Sequence, residues 1–172
     1  MKLALVILGT LVALVLLVAL VGWSLPVAHR ASRQATFTAP EELVYATITR
    51  VDDFPKWRSN VKSVEHVAMP NGSLGFREVG ANGAILFAVD EAVQPRRLVT
   101  RIADDKLPFG GKWTYELSPA AGGTKLRITE DGEVYNPIFR FVSKFIISQH
   151  ATIDTYLTDL GKKLGSAAVI TD

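Results

Sequence analysis

The chain has 172 residues, no cysteine, three histidines and a formal net charge of +2, with 48% apolar and 21% charged residues. The missing cysteine excludes a disulfide framework and thiolate chemistry. Lys2 is the only charged side chain before His29, so the remainder carries 18 cationic against 17 anionic residues. That balance excludes a general electrostatic attraction to nucleic acid, and Arg96-Arg97 is a pair, not a basic patch.

Residues 3–25 read LALVILGTLVALVLLVALVGWSL without a charge. At 1.5 Å of rise per residue such a helix is about 34 Å long, enough to cross a hydrocarbon core of about 30 Å. The rival reading is a cleaved secretory signal, whose apolar core is shorter, about 7–15 residues, and ends at a small-residue cleavage site. The stretch Pro26-Val27-Ala28-His29-Arg30 is a poor match to such a site, which favours an uncleaved anchor over residues 1–25. Trp23 suits the headgroup region. Gly9 and Ala13 have the small-xxx-small spacing through which a second copy could pack, a weak pointer to a homo-oligomer. Lys2 on one flank and Arg30 with Arg33 on the other leave the orientation open. The expected location is therefore a single-pass protein of a bacterial-type inner membrane, with the side of the soluble part undetermined.

Residues 26–34 (PVAHRASRQ) read as a polar linker, and residues 35–168 as one domain with a tail at 169–172. A short strand around Ala35 and Phe37 precedes Pro40-Glu41-Glu42, where proline and two glutamates suit the first turn of a helix. Phe54-Pro55-Lys56-Trp57 opens a second short helix. From Val64 the apolar period changes to two, predicting strands near 63–69, 74–80, 84–94, 97–103, 111–119 and 124–134. Their separators are turn chemistry: Pro70-Asn71-Gly72, Asn82-Gly83, Gln94-Pro95, Asp104-Asp105, Pro108-Phe109-Gly110-Gly111 and Gly122-Gly123. Successive short strands with tight loops argue for an antiparallel meander. Asn136-Pro137 then opens one long helix to about Leu164, apolar at helical spacing from Phe139 to Leu160. The fold class is α+β: a curved seven-stranded antiparallel sheet wrapped on a long C-terminal helix, with two short helices after the first strand.

The order of these elements resembles the START-like helix-grip superfamily, in particular its polyketide cyclase/dehydrase and lipid-transport branch. The carriers are Phe37-Thr38-Ala39-Pro40-Glu41-Glu42, Val51-Asp52-Asp53-Phe54-Pro55-Lys56-Trp57, Ala92-Val93-Gln94-Pro95-Arg96-Arg97-Leu98, Trp113-Thr114-Tyr115-Glu116-Leu117 with Gly123-Thr124, and Glu130. The resemblance covers about residues 34–165. It implies the helix-grip fold and a cavity between sheet and closing helix. It carries over no catalytic motif, because the branch has no universal one and hosts carriers, cyclases and hydrolases alike.

Strand register supplies candidate ligand-binding residues: Phe76, Phe87, Val89, Trp113, Tyr115 and Ile128 from the sheet, and Phe139, Val142, Ile146 and Ile153 from the closing helix. Together they suit a hydrophobic small molecule; the alternative is that they simply fill the core. Glu78, Glu91 and Glu130 fall in register with apolar neighbours, where a carboxylate must be paired or else titrate high. Glu91 and Glu130 are the weak candidates for acid/base work, against the plainer reading of glutamates facing water or an arginine such as Arg58, Arg77 or Arg101. A bulge would also move them outside. His29, His66 and His150 lack metal-ligand spacing, no Gly-x-Ser-x-Gly occurs, and no cofactor motif is present. Three functions remain open: a membrane-anchored binding or transport module for a lipid, isoprenoid or polyketide-like molecule; an adaptor that binds another protein; or a cyclase/dehydratase-type enzyme.

Overall fold

The computed structural model describes residues 1–70, 72–81 and 83–172; Asn71 and Asn82 of two expected turns lie outside the described residues. An apolar helix, α1 (Lys2–Ser24), leads directly into strand β1 (Ala28–Phe37), followed by helix α2 (Glu41–Thr49), a 3-10 turn and a short helix α3 (Phe54–Trp57). A meander follows: β2 (Val61–Ala68), β3 (Leu74–Gly80), β4 (Gly83–Val93), β5 (Arg97–Ile102), β6 (Phe109–Ala120) and β7 (Gly123–Val134). The chain closes with α4 (Pro137–Phe145), α5 (Ala151–Lys163) and a short strand, β8 (Val169–Thr171). Among the described residues the strands form one antiparallel eight-stranded sheet, ordered β2-β3-β4-β5-β6-β7-β1-β8. α1 is long and apolar enough to cross a membrane.

The meander and both short helices lie where the sequence places them; three boundaries differ. The stretch expected as a linker is strand from Ala28 onward, pairing Ala28 with Glu133 and Arg33 with Ile128. The expected tail is β8, which pairs Ala35 with Ile170 and brings the strands to eight instead of seven. The single long closing helix is two. Ile146 and Ile147 both donate backbone N–H groups to Val142 O, and the Ser148 hydroxyl accepts from His150 N at 3.3 Å. A β-branched pair followed by a serine that bonds its own backbone favours a turn over helix continuation.

The break lets the two halves take different jobs. α5 fills the concave face, where Ile153, Leu157 and Leu160 are fully buried with Phe37, Leu126 and Ile128. β1 faces α5 with the small residues Ala31 and Ala35, which allow close approach. Asp159 on α5 accepts from Ser59 N at 2.8 Å and from Ser59 Oγ at 2.6 Å, fixing the helix to the segment before β2. α4 instead packs on α1, and none of its residues is buried. Asn136 caps it, its side chain accepting from Ile138 N at 2.9 Å and Phe139 N at 3.2 Å, with Pro137 in the first turn. At the joint, Arg140 donates to Leu25 O at 2.8 Å and to Tyr135 O at 3.2 Å, while Val134 N donates to Val27 O at 2.9 Å. A Cβ at Gly22 would overlap the Pro137 carbonyl, so this crossing needs glycine for closeness.

Because Leu157 is fully buried in the α5 seam, Leu157→Ala is expected to lower unfolding free energy by about 2–5 kcal/mol. Denaturant titration of the full chain in detergent, followed by tryptophan fluorescence, measures it.

Candidate functional site

One row of paired residues crosses the concave face: Val89 opposite Thr100, Thr100 opposite Trp113, Trp113 opposite Glu130, and Glu130 opposite Ala31. Strand alternation points all five to the same side. Thr100 and Ala31 are buried, whereas Val89, Trp113 and neighbouring Phe87 are only half-buried at the margin of the core. α4 does not cover this margin, because the break before α5 turns it toward α1. The result is an apolar rim with a carboxyl group at one end.

That carboxyl is unusual. The Glu130 side chain is 21% exposed, and burial pushes it up to about 7, with the Trp113 indole N–H acting against the rise. Its neighbour His29 has Nε2 at 3.7 Å, and burial pulls that imidazole down. Near neutral pH the imidazole is therefore mainly uncharged and the carboxyl is about half protonated. Gly132 lies under the His29 ring, where a Cβ would collide with it, so the ring's seat depends on that glycine. A carboxyl titrating near 7 at an apolar margin can donate a hydrogen bond to a carbonyl, or exchange a proton with a bound molecule.

Deeper in the core sits a second charged group. Arg58 and Glu78 form an ion pair with both side chains nearly buried, at 10% and 11% exposure. The guanidinium carbon lies 4.9 Å from the centre of the Phe54 ring and 5.0 Å from that of Tyr156. Burial raises the Glu78 carboxyl, and the charge and hydrogen bond of Arg58 oppose it. Rings continue outward from Arg58: Trp57 to Tyr156 at 5.3 Å, Tyr156 to Trp113 at 6.0 Å, and Phe76 stacked on Phe87 at 5.4 Å. Trp57 Nε1 and Arg58 Nε are buried with no hydrogen-bond partner among the described residues.

The ten candidate ligand-binding residues divide three ways. Phe76, Tyr115, Ile128 and Ile153 are buried in the core cluster. Phe87, Val89 and Trp113 form the half-buried rim. Phe139 and Ile146 are exposed at 51% and 70%, and Val142 sits with them on the α4 segment, outside that cluster, so these three do not close the concave face. The cause is the turn at 146–150, which sequence periodicity runs through. Glu91 is also outside. A bulge between Val89 and Glu91 reverses the alternation, and Glu91 meets Arg97 Nε at 3.0 Å on the convex side. Glu78 faces an arginine, Arg58, as the plainer reading has it. Sequence reasoning left out Tyr156 and Trp57, whose helical positions carried the only signal.

Two surface clefts lie at the end where α1 joins the sheet. One of about 240 Å³ runs between the start of β1 and α4, lined by His29, Arg30, Val134, Arg140, Ser143 and Lys144 among others. A second, of about 330 Å³, adjoins it and shares His29 and Arg30. Among the described residues no group of three or more His, Cys, Asp or Glu side chains is placed to hold a metal.

A family model described as polyketide cyclase / dehydrase and lipid transport matches residues 28–164. The structure is similar to a START superfamily protein from Mycobacterium smegmatis, with TM-score 0.62 and 16% identity, covering 80% of this chain and 97% of that one. It is similar to the Zhui aromatase/cyclase from Streptomyces sp. R1128, with TM-score 0.65 and 13% identity over 80% and 94% of the two chains. A Rhodobacter sphaeroides protein matches with TM-score 0.57 and 22% identity over 79% and 91%. At these identities the likeness establishes the fold. No curated protein matches the sequence.

Glu130 makes stability depend on pH with a defined sign. Its folded carboxyl, near 7, lies above the ordinary 4.5, so its stabilising contribution is complete below pH 4.5 and is lost as pH rises through 7. The span corresponds to about 3 kcal/mol at most. Glu130→Gln is expected to remove that dependence: little change near pH 4.5 and a gain of order 1–3 kcal/mol at pH 8. Denaturant unfolding of both proteins in detergent at the two pH values reads the difference.

Proposed function

Because the chain belongs to the polyketide cyclase/dehydrase and lipid transport family, we propose that it is a membrane-anchored binding module for a hydrophobic small molecule, such as a lipid, isoprenoid or polyketide-like compound. The observation that carries this reading is the rim of Phe87, Val89 and Trp113, half-buried beside Glu130 where the closing helix is interrupted. An apolar body would lie against that rim, and a carbonyl or hydroxyl on it would meet the Glu130 carboxyl. The helix α1 would hold the domain in one bilayer, where apolar molecules are concentrated.

A second reading rests on the same carboxyl. With Glu130 near 7 and His29 3.7 Å away, the rim has the elements of a proton-transfer site for cyclisation or dehydration of a carbonyl substrate. It ranks below the binding reading because, among the described residues, one carboxylate and not two lies at the rim: Glu91 is on the opposite face.

The test is direct. Full-length protein is extracted with its surrounding lipid into nanodiscs and analysed by mass spectrometry beside Phe87→Arg. One apolar species enriched several-fold over the bulk lipid in the parent, and lost in the variant, is the expected result. Identical profiles in the two samples would remove the binding reading. Glu130→Gln separates the alternatives: if the domain only binds, the same species is held, more weakly, and no new one appears, whereas a catalyst accumulates an unconverted precursor.

A further inference from the structure

α4 is too apolar on its outward side for a helix meant to face water. Ile138, Phe139, Phe145 and the adjoining Ile146 and Ile147 are 40–70% exposed. Plotted at 100° per residue, Ile138, Phe139, Phe141, Val142, Phe145 and Ile146 share one side, while Arg140, Ser143 and Lys144 occupy the other. The polar side is turned toward the domain: all three of its residues line the cleft beside β1, and Arg140 bonds the carbonyl that ends α1. The apolar side faces away from the sheet.

The position of α4 along α1 indicates what covers it. Over its second half α1 is exposed except at Val18, Ala19, Val21 and Gly22, a stripe reaching Leu25 where α4 packs. That stripe extends back from the end of α1 by just under two turns, roughly 9 Å. A helix lying against the last two turns of a bilayer-spanning segment is at the depth of the headgroups and outermost acyl carbons. Trp23 and Tyr135, 72% and 48% exposed, sit at the same level, as interfacial aromatics do. Arg140 and Lys144 line the adjoining cleft, while Arg30 on its other side is paired with Asp131 at 3.6 Å, so the α4 side of the cleft suits an anionic headgroup.

We propose that α4 and the following Ile146-Ile147 are a second membrane contact, an interfacial helix whose apolar side enters the leaflet into which α1 emerges. This rests on the anchor reading of α1. Burying that side removes from water an apolar surface contiguous with the exposed surface of α1, and it holds the cleft beside α4 close to the bilayer surface.

The cysteine-free chain suits site-directed labelling. Single cysteines at Leu14, Phe139, Ile146 and Ala121, all exposed positions, carry nitroxides on the full chain in liposomes of phosphatidylcholine and phosphatidylglycerol. Power-saturation EPR compares collisions with oxygen, which concentrates in hydrocarbon, and with a water-soluble nickel chelate. Labels at Phe139→Cys and Ile146→Cys are expected to show an oxygen-to-nickel ratio several-fold above that of Ala121→Cys, at the far end of the sheet, and approaching that of Leu14→Cys. Ratios at 139 and 146 equal to that at 121, with Leu14→Cys still lipid-like, overturn the inference and leave the anchor standing. A water-like Leu14→Cys overturns both.

Discussion

Three residues, Leu25, Pro26 and Val27, separate the end of α1 from the start of β1, and the last already accepts a backbone hydrogen bond from Val134. The apolar helix and the sheet are thus joined without slack. Arg140 tightens the joint by donating to the carbonyl at which α1 ends. Because α1 leaves the sheet at this fixed place, it offers α4 a partner surface. α4 takes it, the chain turns at Ser148, and only α5 remains to fill the concave face. The uncovered rim of Phe87, Val89 and Trp113 follows from where α1 emerges.

Within the concave face, charge is handled in two ways. Arg58 and Glu78 satisfy each other, and the guanidinium lies over two aromatic rings, so removing either partner would strand a buried charge. That pair reads as a device for specifying one core arrangement. Among the described residues Glu130 has no Lys or Arg at ion-pair distance; the basic group beside it is an imidazole that burial itself keeps neutral. A protein that needed only a core would place an apolar residue there. The difference between a compensated and an uncompensated carboxylate is what separates a structural group from a functional candidate on this sheet.

The meander was legible in the sequence because its two determinants are local: alternation at period two, and turns rich in Gly, Asn, Asp and Pro. β1 was half missed for a physical reason. The residues it presents to α5 are Ala31, Arg33 and Ala35, small or paired with Asp154, because a helix lies close against them. Without large apolar side chains the segment reads as linker. The bulge at Glu91 inverted the face of one candidate, and no single-residue propensity marks a bulge. The break at 146–150 was hidden because the apolar period continues through it; Ile146 is apolar for what lies outside the domain rather than inside. Of the candidate site, the rim and Glu130 could be read from register, whereas the Tyr156 and Trp57 surroundings of Arg58 depend on the packing of distant elements.

The short joint bears on how such a domain could deliver anything. A carrier on a long flexible tether sweeps a volume and can hand cargo to an acceptor some distance off. Here the reach between the end of α1 and the first paired residue is at most about 14 Å of chain, so for an anchored protein the domain travels only as its own helix diffuses in the plane. Exchange would then be lateral, with molecules entering and leaving by the leaflet beneath the domain, and a receiving protein would have to come alongside in the same membrane.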